Sequence, residues 1–199
     1  MATSMPSPTS MSKGVVMSET LERWKLVTEG FTQRLHAVEA GQWEQATPCT
    51  AFTVRQLIEH VIDVQRMGPR LLGASGAIDT PLGSDLVSVW ERVRAAALTS
   101  YEAEGALARS VETPLGQMSA EQFLAGAAMG DALIHTWDLA RAIGAEETLP
   151  EAACALQLQG LKALPEDFLR RPGLFAAAIA PPAGADAQTQ LLCYTGRQP

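Results

Sequence analysis

The sequence predicts an all-α protein: four long helices forming a bundle, followed by a short helical or irregular C-terminal extension. Three observations carry this reading. Apolar residues recur at spacings of three, four and seven, which is one face of a helix. Two of the stretches open with a Thr/Ser-x-x-Gln capping box. No segment alternates apolar and polar residues over any length, so no strand is expected.

The first helix runs from Ser18 with Leu21, Trp24, Phe31, Leu35 and Val38 on one face, and Gly41 is read as its stop. A connector holding Thr47-Pro48-Cys49 follows. Thr53-x-x-Gln56 places the start of the second helix at Val54; its stripe is Leu57, Val61 and Val64, and Gly68-Pro69 ends or kinks it. After a Gly/Ala/Pro-rich loop over 73–83, Ser84 or Asp85 caps a third helix with Leu86, Val89, Trp90, Val93, Ala97 and Tyr101 facing inward. Ser119-x-x-Gln122 opens the long fourth helix, which continues to Ile143 and ends at Gly144. A shorter fifth helix covers 151–164. The remaining tail, rich in Pro and Gly, reads as irregular and packs back through Phe168, Leu174, Phe175, Leu191 and Leu192. Residues 1–17 read as a disordered leader, 18–146 as the bundle and 147–199 as the extension.

Composition narrows the function. The chain has 199 residues, 47% hydrophobic and 19% charged, the size of one domain able to bury its own core. A net charge of −7 with no Lys/Arg run argues against nucleic acid or an anionic membrane as partner. No stretch approaches the roughly 20 apolar residues of a membrane span, and the N-terminus lacks the apolar core of a secretory signal. The three cysteines, Cys49, Cys154 and Cys193, are far apart and form no Cys-x-x-Cys, which suits reduced thiols in a cytoplasm rather than a disulfide framework.

Histidine-based chemistry must use His36, His60 or His135, because the chain has no others. His60 follows Leu57 by three residues and precedes Val64 by four, which turns it toward the apolar stripe. Asp131 and His135, spaced i, i+4, stack carboxylate and imidazole on one face of a helix rich in apolar residues such as Phe123, Leu124, Ala127, Ala128 and Ile134. Two imidazoles and a carboxylate converging inside a bundle suit a divalent cation with coordination positions left open for water or substrate. Zinc, nickel, iron(II) and manganese all fit such a set. The same spacing is also met by a carboxylate in a salt bridge and two histidines satisfied in the core.

Neighbouring residues have competing roles. Asp138 lies near the same face, either as an acceptor that fixes an imidazole tautomer or as an ion-pair partner of Arg141. Trp137 points elsewhere, into the core. His36 faces solvent. His60 stands seven residues beyond the Thr53 cap, roughly 10 Å along the helix axis, which makes Cys49 a poor ligand. Arg197 is a candidate for an anionic substrate or for a structural ion pair.

Four runs are familiar together: Trp43-x-x-x-Thr47-Pro48-Cys49-Thr50; Thr53-Val54-x-x-Leu57-x-x-His60-Val61; Gly130-Asp131-x-x-x-His135-Thr136-Trp137-Asp138-Leu139-Ala140-Arg141-Ala142; and the closing Leu191-Leu192-x-x-Thr195-Gly196-Arg197-x-Pro199. In order and spacing they resemble the DinB-like superfamily, specifically the metal-binding N-terminal domain of mycothiol-dependent maleylpyruvate isomerase and its single-domain relatives. The resemblance implies a four-helix bundle whose metal ligands are His60, Asp131 and His135. It also implies zinc as the foremost metal, with mycothiol as a cosubstrate. Two departures stand out: the isomerase motif has Glu where this chain has Asp131, and relatives often carry Trp where it has Phe52. The isomerase's separate substrate-binding C-terminal domain has no counterpart of that size here.

The expected function is therefore a divalent-metal-dependent thiol transferase or isomerase acting on a small molecule, with a homodimer kept open. The alternatives are a thiol-independent metal-assisted hydrolase or isomerase, and a non-catalytic metal-binding bundle.

Overall fold

The computed structural model of the chain describes residues 18–83, 85–113 and 116–199. The leader expected over 1–17 and the cap candidate Ser84 lie outside the described residues.

Helix α1 spans Glu19–His36, capped by Ser18, whose hydroxyl accepts from the Thr20 amide; Leu21, Trp24, Val27, Phe31 and Leu35 form its buried stripe. It ends at Ala37, before Gly41, because the chain leaves through i→i+3 turns there and Gln42 ties the exit to the Ile143 carbonyl at 3.1 Å. Helix α2 spans Val54–Leu71 with both bonds of the Thr53/Gln56 capping box made. Gly68-Pro69 does not end it. Pro69 sits in the last turn, and the Leu72 amide still closes onto Gly68 and Pro69 carbonyls. Gly68 is required for packing, since a Cβ there would lie 2.1 Å from the Tyr101 hydroxyl. Helix α3 spans Leu86–Glu102, capped by Asp85, and its six expected inward residues are all buried.

A hairpin follows that the sequence did not foretell. Strands β1 (Ser110–Thr113) and β2 (Gly116–Ser119) pair antiparallel, Ser110 opposite Ser119 and Thr113 opposite Gly116. Each strand is four residues long: β1 alternates exposed and buried residues over that short run, and β2 does not.

The fourth rod of the bundle is composite. Helix α4 (Ala120–Phe123) starts on the Ser119/Gln122 capping box, widens into a π-helical turn over Leu124–Ala128, and continues as α5 (Met129–Ile143) to Gly144 at φ +70°. A π turn leaves carbonyls poorly served by the helix itself. Here buried Gln65 of α2 donates to the Ala128 carbonyl at 2.7 Å while accepting from the Trp24 indole at 2.9 Å. Ala127, expected to line the buried face, is exposed instead.

The extension holds α6 (Glu151–Lys162), α7 (Glu166–Leu169) and α8 (Ala187–Tyr194). The tail is thus more regular than expected: α8 starts on an Asp186 cap and packs against α6, and Leu191 and Leu192 are fully buried, whereas Leu174 is exposed. Gln157 of α6 donates to the Gly126 carbonyl in the π turn at 3.2 Å. Within the bundle α1 packs mainly on α5 and α2 on α3. Among the described residues no helix is long and apolar enough to cross a membrane.

Candidate metal centre

The capping box fixes the phase of α2, burying Leu57, Ile58 and Val61 and leaving His60 at the stripe's edge, facing α5. The i, i+4 pair Asp131 and His135 rises from α5 opposite it. His60 Nε2 stands 2.9 Å from Asp131 Oδ1, and His135 Nε2 stands 3.5 Å from the same oxygen. The imidazoles are nearly perpendicular, 86° apart with centroids 5.2 Å from each other. Phe52, just before the Thr53 cap, stacks on His60 at 4.9 Å and presents its edge to His135. All three expected ligands therefore meet at one place.

Behind them lies a chain of polar contacts. His135 Nδ1 is 2.9 Å from Asp138 Oδ2, and Arg197 grips both oxygens of Asp138, Nε to Oδ1 at 2.8 Å and Nη2 to Oδ2 at 2.6 Å. Asp138 is fully buried. Its cationic partner is Arg197, not Arg141: Arg141 pairs with Glu147 and lies over the Trp137 ring. Trp137 is in the core, and His36 is exposed and paired with Glu91.

The electrostatics follow from these partners. The hydrogen bond to Asp131 raises the His60 pKa against the opposing pull of burial. Burial pushes the Asp138 carboxyl up, but the His135 and Arg197 hydrogen bonds and charges outweigh it, holding the group below the ordinary carboxylate range.

The donor set fits a divalent ion. Bonds of about 2.0–2.1 Å place ligand atoms roughly 2.9 Å apart at a right angle and roughly 3.4 Å apart at the tetrahedral angle, close to the 2.9 and 3.5 Å spacings about Asp131 Oδ1. Asp131 Oδ2 is buried with no hydrogen-bond partner among the described residues, a deficit that a cation beside the carboxylate would remove. His135 has its Nδ1 committed to a carboxylate, the usual support of a metal-ligating imidazole.

Cys49 lies closer than its axial separation from His60 implies. Its Sγ is within 4.8 Å of donor atoms of His135 and Asp138. The connector doubles back, Ala46 bridging Thr53 and the Phe52 amide donating to the Cys49 carbonyl, so distance along α2 does not measure distance from the site. These three residues do not make a second ion site, because Asp138 is already spent on His135 and Arg197. Burial, with the Asp138 charge, pushes the Cys49 thiol up and keeps it protonated. A groove of about 280 Å³ lined by Gly30, Leu133, Thr136 and Pro150 lies on the opposite face of α5 and holds none of these groups.

The family described as the mycothiol maleylpyruvate isomerase N-terminal domain matches residues 24–140, which include all three converging donors. The chain belongs to this DinB-like family. Two uncharacterized proteins of Mycobacterium tuberculosis, from strains CDC 1551 and ATCC 25618, are each 31% identical over 171 residues, covering 85% of this chain and 92% of the relative. No solved structure matches. Arg197 lies beyond the matched span, and no spacing rule links it to Asp138. Only its place in the closing Gly-Arg motif marked it beforehand.

Proposed function

We propose that the chain is a divalent-metal-dependent transferase or isomerase that uses a low-molecular-weight thiol, mycothiol by its family, on a small electrophilic substrate. The observation that carries this reading is the convergence of His60 and His135 on the Asp131 carboxylate, whose second oxygen is buried with no hydrogen-bond partner among the described residues.

His60 and His135 would hold the ion through Nε2 and Asp131 through its carboxylate, with zinc the foremost candidate for two imidazoles and one carboxylate. A divalent ion there supplies Lewis acidity, lowering the pKa of a thiol or polarising a carbonyl. The residues do the rest. Asp138 holds the Nδ1 proton of His135, leaving Nε2 as the donor. Arg197 neutralises Asp138, so the protein contributes one net negative charge, on Asp131. With a divalent ion held by His60, His135 and this single carboxylate, the site would carry a net charge of about plus one, which would favour an anionic ligand. Phe52 stacks on the His60 ring and holds its orientation.

The test is elemental analysis of the purified chain, then turnover of an electrophilic small molecule with and without added thiol. One ion per chain and thiol-dependent turnover that vanishes in the His60→Ala/His135→Ala double variant support the reading. Turnover that ignores thiol moves the assignment to a metal-assisted hydrolase or isomerase. A chain without stoichiometric ion overturns it.

A further inference from the structure

We propose that Arg197, outside the family-matched span, is a positioning residue for the centre: its two-pronged grip on Asp138 fixes which nitrogen of His135 carries the proton. This rests on the metal-dependent reading above in its consequence for binding, but not in its geometry.

A carboxylate with no solvent exposure stays ionised only with close partners, and the planar guanidinium matches both of its oxygens at once. With Oδ1 and Oδ2 held in that fork, Oδ2 faces His135 Nδ1 at 2.9 Å and must accept there. The proton is thereby placed on Nδ1, and the Nε2 lone pair is directed at Asp131 and His60. An imidazole of the other tautomer would present an N–H to the ion and could not bind it.

Arg197 is itself delivered by a built turn. Gly196 has φ +83°, and a Cβ there would lie 2.7 Å from Ala176, so the step off α8 requires glycine. The Arg197 amide then closes on the Leu192 carbonyl at 2.9 Å, and Nη1 donates to the Thr195 carbonyl at 3.3 Å. Backbone and side chain are fixed together, and the guanidinium is 9% exposed as a residue. The extension thus completes a centre whose direct ligands all come from the bundle.

The experiment uses the full chain with Arg197→Lys, Arg197→Met and the double variant Arg197→Met/Asp138→Asn. Zinc affinity is read by chelator competition, and the His135 tautomer by imidazole nitrogen shifts in the metal-free protein at mildly alkaline pH. In the unaltered protein the proton sits on Nδ1. Arg197→Lys keeps the charge but not the fork, and is expected to mix the tautomers and weaken zinc binding about 10- to 100-fold. Should Arg197→Met fail to fold, the double variant decides, because no unpaired buried charge remains in it. It is expected to lose the Nδ1 preference, as an amide can face the ring with either end. Variants that fold and keep both the tautomer and the affinity overturn the proposal. If the unaltered chain binds no zinc, the metal-dependent function fails, yet the tautomer measurement still judges Arg197.

Discussion

His60 Nε2 and Asp131 Oδ1 stand 2.9 Å apart across the α2–α5 interface, a bond closed between residues 71 positions apart in sequence. A proton and the proposed metal ion would compete for that same nitrogen. The bond to Asp131 raises the His60 pKa above its ordinary 6.5, so the proton begins to win at a higher pH than on a free imidazole. Zinc affinity is expected to fall as pH is lowered through the neutral range. Without the ion the sign reverses. The His60–Asp131 contribution to stability is complete below the unfolded-state pKa and fades as pH rises through the higher folded-state value. Thermal melts across this range, with and without zinc, read both trends; an ion-independent pH profile would contradict the assignment.

Among the described residues Asp131 is the acid that stands between His60 and His135. Asp131→Ala is expected to weaken zinc binding by more than the roughly 100-fold that loss of an outer partner causes, while Asp131→Glu retains a stoichiometric ion. The isomerase motif that these runs resemble has Glu at this position, one methylene longer and with the same carboxylate donor. Equilibrium dialysis distinguishes the two variants.

Gly130 matters because of Gln157. A Cβ at Gly130 would fall 2.2 Å from the Gln157 side-chain nitrogen, which donates to the Gly126 carbonyl of the π turn. Gly130→Ala is expected to cost about 1–3 kcal/mol by overpacking. Adding Gln157→Ala removes the clash, so the double variant should be more stable than the sum of the single effects predicts. Additive losses in denaturant melts would refute this coupling.

Tyr101 behaves oppositely. Its hydroxyl is buried beside Gly68 with no hydrogen-bond partner among the described residues, and burial pushes its pKa up. Tyr101→Phe removes an unsatisfied polar group without emptying the site, and is expected to leave stability unchanged or raise it by about 1 kcal/mol. A marked fall in Tm would reveal a partner for the hydroxyl.

What the sequence disclosed follows a physical rule. Local grammar was legible: Thr53 and Ser119 cap as their spacing says, the α1 and α3 stripes are buried, and the i, i+4 step from Asp131 to His135 puts both groups on one face. Periodicity placed His60 on one inward helix face and the Asp131–His135 pair on another, while the family resemblance named the three as one set. Features without a period were not legible. The hairpin's β1 alternates over only four residues and β2 not at all. The π turn is set by Gln65 and Gln157, whose partners are distant carbonyls. Cys49 approaches His135 only because a loop reverses on itself, and the Arg197–Asp138 grip spans 59 positions.

The widened turn at Leu124–Ala128 has a consequence for how this rod is used. An α-helix advances about 100° per residue, so accommodating one surplus residue swings everything downstream to a new azimuth. The upstream portion can then be oriented to suit Phe123 and the hairpin. The downstream portion can be aimed independently at α2, so that neither orientation is a compromise with the other.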